Sequence, residues 1–99
     1  MTDHVSAREL ALFAANDYDL YRRQTLPIIA NLKRKIKRGV YDPSKALKLW
    51  GYLAESAAKD YTKQFCTAGE KWFEMFPPDT RREAASQIAR YYDDAVNEE

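Results

Sequence analysis

The chain has few of the residues that build disulfides or metal sites. Its 99 residues include one cysteine, Cys66, and one histidine, His4. A single cysteine cannot form an internal disulfide, and a single histidine excludes any site with several histidine ligands. We therefore expect no disulfide framework and no metal or other cofactor. The lone cysteine is compatible with a reducing compartment.

Long apolar runs and an excess of one charge are also missing. The longest fully apolar run covers residues 10–15, far short of the roughly 20 residues that cross a bilayer. The first residues lack the basic start and apolar middle of a signal peptide. We therefore expect a cytoplasmic protein with no membrane contact. Sixteen basic residues against fifteen acidic ones give a net charge of +1, which argues against a DNA mimic.

Glycine and proline are scarce as well, with three and four residues respectively. Together with many Ala, Leu, Lys, Arg and Glu residues, this composition favours helices. The alternating pattern of strands is absent. The sequence predicts an all-α fold, a single compact bundle of about four helices with short turns. It would form one domain over residues 1–99, with mobile termini at 1–5 and 97–99.

Capping residues predict where three helices begin. In a capping box, a serine or threonine and a glutamate three positions later accept hydrogen bonds from each other's free amides. Ser6 and Glu9 have this spacing and predict a helix over about 7–15. Residues 80–83 (Thr-Arg-Arg-Glu) repeat it after two prolines and predict the start of the last helix. Asp42, followed by proline, predicts the start of the third.

The third helix carries the clearest apolar pattern of the sequence. Eight residues fall within an arc of about 140° on a helical wheel, which predicts one buried face: Leu47, Trp50, Leu53, Ala54, Ala57, Ala58, Tyr61 and Phe65.

The second helical segment, about 17–38, contains Pro27, which lacks a backbone N–H. It is either one helix that kinks at Pro27 or two helices, with a new start near Thr25. An apolar stripe that includes Ile29 and Leu32 predicts its buried side, and Gly39 ends it.

Two basic surfaces follow from these helices. The second helix presents cations opposite its apolar stripe, at Lys33, Arg34, Lys37 and Arg38, and at Arg23 if it continues through Pro27. The third helix carries a basic stripe with an exposed tyrosine, at Lys45, Lys48, Tyr52, Lys59 and Lys63. Such surfaces can hold phosphates and stack a base. They predict sequence-independent nucleic-acid binding, with solvated faces or an acidic protein partner as the alternatives.

Aromatic residues before the two prolines suggest a different interaction. Trp72, Phe73 and Phe76 either close one end of the core or form an exposed patch that binds a host protein. From Glu83 onward the chain is mainly acidic, whereas its middle is basic. These two regions could pair between two copies, so self-association is another alternative. Cys66 lies beside no histidine base and the glycines are isolated, so we do not expect an enzyme.

Five segments also carry a resemblance. They are Asp19-Leu20-Tyr21, Ile28-Ile29-Ala30-Asn31-Leu32, Gly39-Val40-Tyr41-Asp42, Lys45-Ala46-Leu47-Lys48-Leu49-Trp50 and Ala57-Ala58-Lys59-Asp60-Tyr61. In this order they resemble a group of short proteins carried by bacteriophages and plasmids, over about residues 9–92. The resemblance implies a bacterial or phage setting and a small accessory role, and it transfers no activity and no site residue.

Overall fold

The computed structural model describes residues 5–66 and 68–97, and their regular structure is entirely helical. We number six helices. They are α1 (Ala7–Asn16), α2 (Tyr18–Leu20, Tyr21–Thr25 and Leu26–Lys37 in direct succession), α3 (Pro43–Phe65), α4 (Trp72–Met75), α5 (Pro78–Tyr91) and α6 (Asp93–Asn97). The all-α prediction is confirmed. None of these helices is both long enough and apolar enough to cross a membrane.

Two of the three predicted helix starts are confirmed by side-chain caps. The Ser6 hydroxyl accepts a hydrogen bond from the Glu9 amide at 3.1 Å, and Asp42 Oδ1 accepts one from the Ser44 amide at 2.9 Å. The third start is wrong. Because proline suits the first turn of a helix, α5 already begins at Pro78, and no side-chain hydrogen bond caps it. Thr80 therefore lies inside the helix.

The second helix is continuous through Pro27, so the segment forms one helix rather than two. Residues Tyr21–Thr25 form a wider π-helical turn, in which the Leu26 amide donates to the carbonyl of Tyr21, five residues earlier. This turn replaces the α-helical turn that the proline would disrupt. As a result, α2 is helical without interruption from Tyr18 to Lys37.

Gly39 ends α2 as predicted. It has a φ of +73°, and the Val40 amide donates to the carbonyl of Lys35 at 2.9 Å while the Gly39 amide donates to that of Ile36 at 3.1 Å. This pair of bonds is the Schellman motif, which places glycine in the left-handed conformation.

The core is centred where α1, α3 and α5 pack against one another, and it extends to Ile29 and Leu32 of α2 and Val96 of α6. The second half of α2 packs mainly on α6. Trp50 is 2% exposed and stacks on Tyr92, with ring centroids 5.4 Å apart. The predicted burial of Trp50 is therefore confirmed. The predicted burial is wrong for the first and last residues of this set, because Leu47 is 44% exposed and Phe65 is 62% exposed.

Two of the terminal residues predicted to be mobile, Val5 and Asn97, lie within the described part of the chain. Val5 packs against the core, and residue 97 closes α6. Residues 1–4 and 98–99 lie outside the part of the chain that the structure describes.

Candidate nucleic-acid interface

The basic stripe of α3 is exposed along its whole length. The Asp42 cap and the buried residues Trp50, Leu53 and Ala57 fix the rotation of the helix, so the opposite face points to solvent. Lys45, Lys48, Tyr52, Lys59 and Lys63 are all exposed. Lys48 and Lys63 are separated by about 22 Å along the helix axis at 1.5 Å per residue.

Lys59 joins this stripe to Trp72. Its ammonium nitrogen lies 5.1 Å from the centroid of the Trp72 ring, within the range of a cation–π contact. It also lies 3.7 Å from a carboxylate oxygen of Glu55. The cations of α3 and the aromatic residues of α4 therefore meet on one surface, although the sequence indicated them as separate features.

Trp72 is held in place by α5 as well. The guanidinium carbon of Arg81 lies 4.9 Å from the ring centroid, and Arg81 Nε donates a hydrogen bond to the carbonyl of Phe76 at 2.9 Å. Two cations thus contact the Trp72 ring. Phe73, in edge-to-face contact with Trp72 at 5.6 Å, is the more exposed ring, with 47% of its surface accessible.

A cavity of about 430 Å³ lies beside these rings, and we call it the Trp72 cavity. It is lined by Lys59, Thr62, Lys63, Cys66, Glu70, Lys71, Trp72 and Phe73. Three lysines face one glutamate, so the cavity is locally positive although the whole chain carries only +1. A positive cavity with aromatic walls suits a ligand that carries both phosphate groups and flat rings.

Cys66 is the one thiol that lines this cavity, and its surroundings disfavour the reactive thiolate. The thiol is half-buried, and its sulfur lies 3.0 Å from that of Met75, to which it donates. Burial, and secondarily the charge of Glu70, raise the pKa of the thiol. A raised pKa keeps the thiol protonated near neutral pH, whereas the thiolate is the reactive form.

Phe76 does not belong to an exposed patch. It is fully buried and packs edge-to-face against Tyr61, with ring centroids 5.4 Å apart. Met75 is also buried. The prediction of an aromatic interaction surface at Trp72, Phe73 and Phe76 is therefore corrected: Phe76 closes the core, and Phe73 alone is exposed.

The basic face of α2 lies apart from the Trp72 cavity, and none of its residues lines it. Arg34, Lys37 and Arg38 are exposed, and Lys33 is half-buried. Arg23 is placed differently. Its guanidinium lies 2.7 Å from Asp19 and 3.8 Å from Asp60, so carboxylates compensate its charge.

Two cations at the site were not predicted from the sequence. Lys71 stood out only as a neighbour of acidic residues, and Arg81 only as part of a capping box. The adjacency of Lys71 to Trp72 was a signal that could have been used. Arg81 reaches the ring because of the turn at Pro77 and Pro78, and nothing in the sequence indicates this contact.

No known protein family, curated protein or solved structure matches the chain. Within the described residues, no group of three or more His, Cys, Asp or Glu side chains is arranged to hold a metal ion. The function is therefore inferred from the geometry of the surface itself.

Proposed function

We propose that this protein binds single-stranded nucleic acid, without base specificity, at the Trp72 cavity and along the basic stripe of α3. The observation that carries the proposal is the meeting of Lys59, Lys63 and Lys71 with the exposed ring of Phe73 around one cavity. Lysines neutralise backbone phosphates, and an aromatic ring stacks on any base. The protein would act by binding rather than by catalysis.

The aromatic residues of this surface have different roles in the proposal, and their contacts indicate which role each has. Two cations contact the Trp72 ring, so Trp72 serves mainly to position Lys59 and Arg81. Phe73 has a single, more distant cation contact, from Lys71 Nζ at 5.9 Å. Because Phe73 and Tyr52 are exposed, they would stack on unpaired bases. A duplex keeps its bases stacked inside, so single strands should bind more tightly than duplex of the same length.

The proposal is tested by fluorescence anisotropy with a labelled oligothymidine at low salt. Phe73→Ala should weaken binding by about 1–3 kcal/mol, the usual contribution of one stacked base. Tyr91→Ala is the matched control, since this ring is exposed but lies outside the cavity, and it should leave binding unchanged.

The charge contribution is tested in the same assay. Lys59→Glu with Lys63→Glu should nearly abolish binding. Arg8→Glu with Arg90→Glu makes the same change in net charge at two exposed cations outside the cavity, and it should weaken binding much less. Three phosphate contacts predict a slope of about −2 in log affinity against log salt, or a loss of roughly twentyfold from 50 to 200 mM. Absence of any binding at 50 mM salt would refute the proposal.

The basic face of α2 is a secondary element of this proposal. Lys37→Glu should weaken binding less than Lys63→Glu, because Lys37 does not line the cavity. An equal or larger loss would place the principal contact on α2 instead.

A further inference from the structure

A second concave surface, the α3–α5 groove, shares no lining residue with the Trp72 cavity. It has a volume of about 690 Å³ and lies between the first half of α3 and α5. Its lining on α3 extends from Ser44 to Glu55, about 16 Å along the axis or three helical turns. Leu47, Gly51 and Ala85 contribute small or apolar surface to it.

Gly51 is the informative residue of this groove. It lies in the interior of a 23-residue helix, where glycine is less stable than alanine. A β-carbon at this position would meet no atom within 4 Å. Packing within the chain therefore does not require glycine here. Its missing side chain leaves open space one turn away from the exposed Leu47, where another chain can approach the backbone closely.

The charges around the groove indicate what could fill it. Lys48, Arg81 and Arg82 line it against a single acid, Glu55. Glu55 already pairs with Lys59 and Arg82 with Asp79, whereas among the described residues Lys48 and Arg81 form no ion pair. The surplus is positive, so a complementary occupant is negative. A second copy docked groove to groove would bring two such sets of cations together, which disfavours that occupant.

We propose that the α3–α5 groove binds an acidic amphipathic α-helix of a partner protein. Three turns of groove accommodate the apolar face of one such helix, as in other helix-in-groove complexes. An apolar side chain of the partner would fill the space over Gly51 against Leu47. Its acidic residues would lie near Lys48 and Arg81. This inference does not depend on nucleic-acid binding at the Trp72 cavity.

The test is selection of a displayed library of random peptides of about 16 residues, long enough for some four helical turns. The immobilised wild-type chain is the bait, and the Gly51→Leu variant is used for counter-selection. We expect enriched peptides with apolar residues at helical spacing, flanked by Asp or Glu. Circular dichroism and thermal melting of Gly51→Leu should show a helical protein at least as stable as the wild type, since the new side chain enters open space.

The enriched peptide is then measured directly by fluorescence anisotropy. Gly51→Leu fills the open space over Gly51, and Lys48→Glu reverses a charge that lines the groove. Each substitution should weaken peptide binding about tenfold or more, equivalent to 1.4 kcal/mol. Phe73→Ala is the control. It should bind the peptide with the affinity of the wild type, although its affinity for oligothymidine is lower.

Three results would overturn the inference. The first is enrichment of peptides without acidic residues, and the second is equal binding of the peptide to Gly51→Leu. The third is self-association of the wild type in sedimentation equilibrium that disappears in Gly51→Leu, because this result would assign the groove to a second copy.

Discussion

At the scale of single residues, burial divides the aromatic side chains into those that stabilise the fold and those that remain available for binding. Trp50 and Phe76 are buried, whereas Tyr52 and Phe73 are exposed. Phe73 and Phe76 are only three residues apart in the sequence and play opposite roles. This difference arises because the single turn of α4 directs one ring to Tyr61 and leaves the other at the surface.

Replacing Trp50 tests the core. Trp50→Ala removes a buried ring that stacks on Tyr92 and should lower the free energy of unfolding by about 3–5 kcal/mol. Tyr52→Ala, two residues away on the exposed face, should change it by less than about 0.5 kcal/mol. Urea unfolding followed by circular dichroism measures both. Equal effects of the two substitutions would contradict the assigned rotation of α3.

The pH dependence of stability follows from buried groups that ionise in the alkaline range. Burial, with a smaller effect of Tyr21, raises the pKa of Tyr92, and burial raises the pKa of Cys66. The folded state therefore favours their neutral forms. Their contribution is complete below the ordinary pKa of each group and is lost as the pH rises through the raised one.

We therefore expect the free energy of unfolding to fall as the pH rises past about 8.5, where half of the unfolded cysteine is ionised. Urea unfolding between neutral pH and mildly alkaline pH measures this. Cys66→Ala should reduce the loss in the lower part of that range and leave the part due to tyrosine. Constant or increasing stability over the same range would contradict the assignment.

At the scale of helices, local signals in the sequence were reliable where the deciding contacts are themselves local. The caps at Ser6 and Asp42 and the glycine stop at Gly39 each depend on residues within five positions, and all three are present. The start of α5 was misplaced because a proline competes with the capping box for the same turn.

Signals that depend on tertiary contacts were less reliable. Periodicity predicted burial of Leu47 and Phe65, but whether a position on the apolar arc is covered depends on where the neighbouring helices lie. Leu47 faces the open groove beside α5, and Phe65 is the last residue of its helix. The stripe of α3 was predicted, whereas the contacts of Lys59 and Arg81 with the Trp72 ring depend on how the two following helices pack against α3.

Two glycines in different backbone conformations give a matched test of these helices. Gly51→Ala should stabilise the protein by about 0.5–1 kcal/mol, because the new methyl group meets open space within a helix. Gly39→Ala should destabilise it by about 1–2 kcal/mol, because its φ of +73° is unfavourable for alanine. Thermal melting compares the two variants with the wild type. A change of the same sign in both would contradict the helical conformation of Gly51 or the left-handed one of Gly39.

At the scale of the whole molecule, packing is uneven along the chain. The dimensions are 48 × 24 × 15 Å and the radius of gyration is 14.0 Å, against about 12.6 Å for a typical domain of this length. The helices α1, α3 and α5 form the centre of the core, whereas the second half of α2 reaches it through Ile29 and Leu32 and packs mainly on α6. Local stability should follow this division.

Hydrogen exchange tests this division. Amides in the second half of α2 and in α6 should exchange faster than those in the middle of α3, because fewer elements cover them. Mass spectrometry of peptides covering residues 26–37, 50–60 and 93–97 measures the difference. Equal protection of all three segments would indicate one cooperative unit that includes α2.

The contrasting positions of the two tryptophans have a practical consequence for spectroscopy. Trp50 is enclosed in the core, whereas Trp72 borders the cavity proposed to bind nucleic acid. The emission of an indole depends on its surroundings, so the two fluorophores report different events. Replacing Trp50 by phenylalanine leaves an intrinsic, label-free sensor of occupancy. The reciprocal replacement of Trp72 leaves a sensor of unfolding.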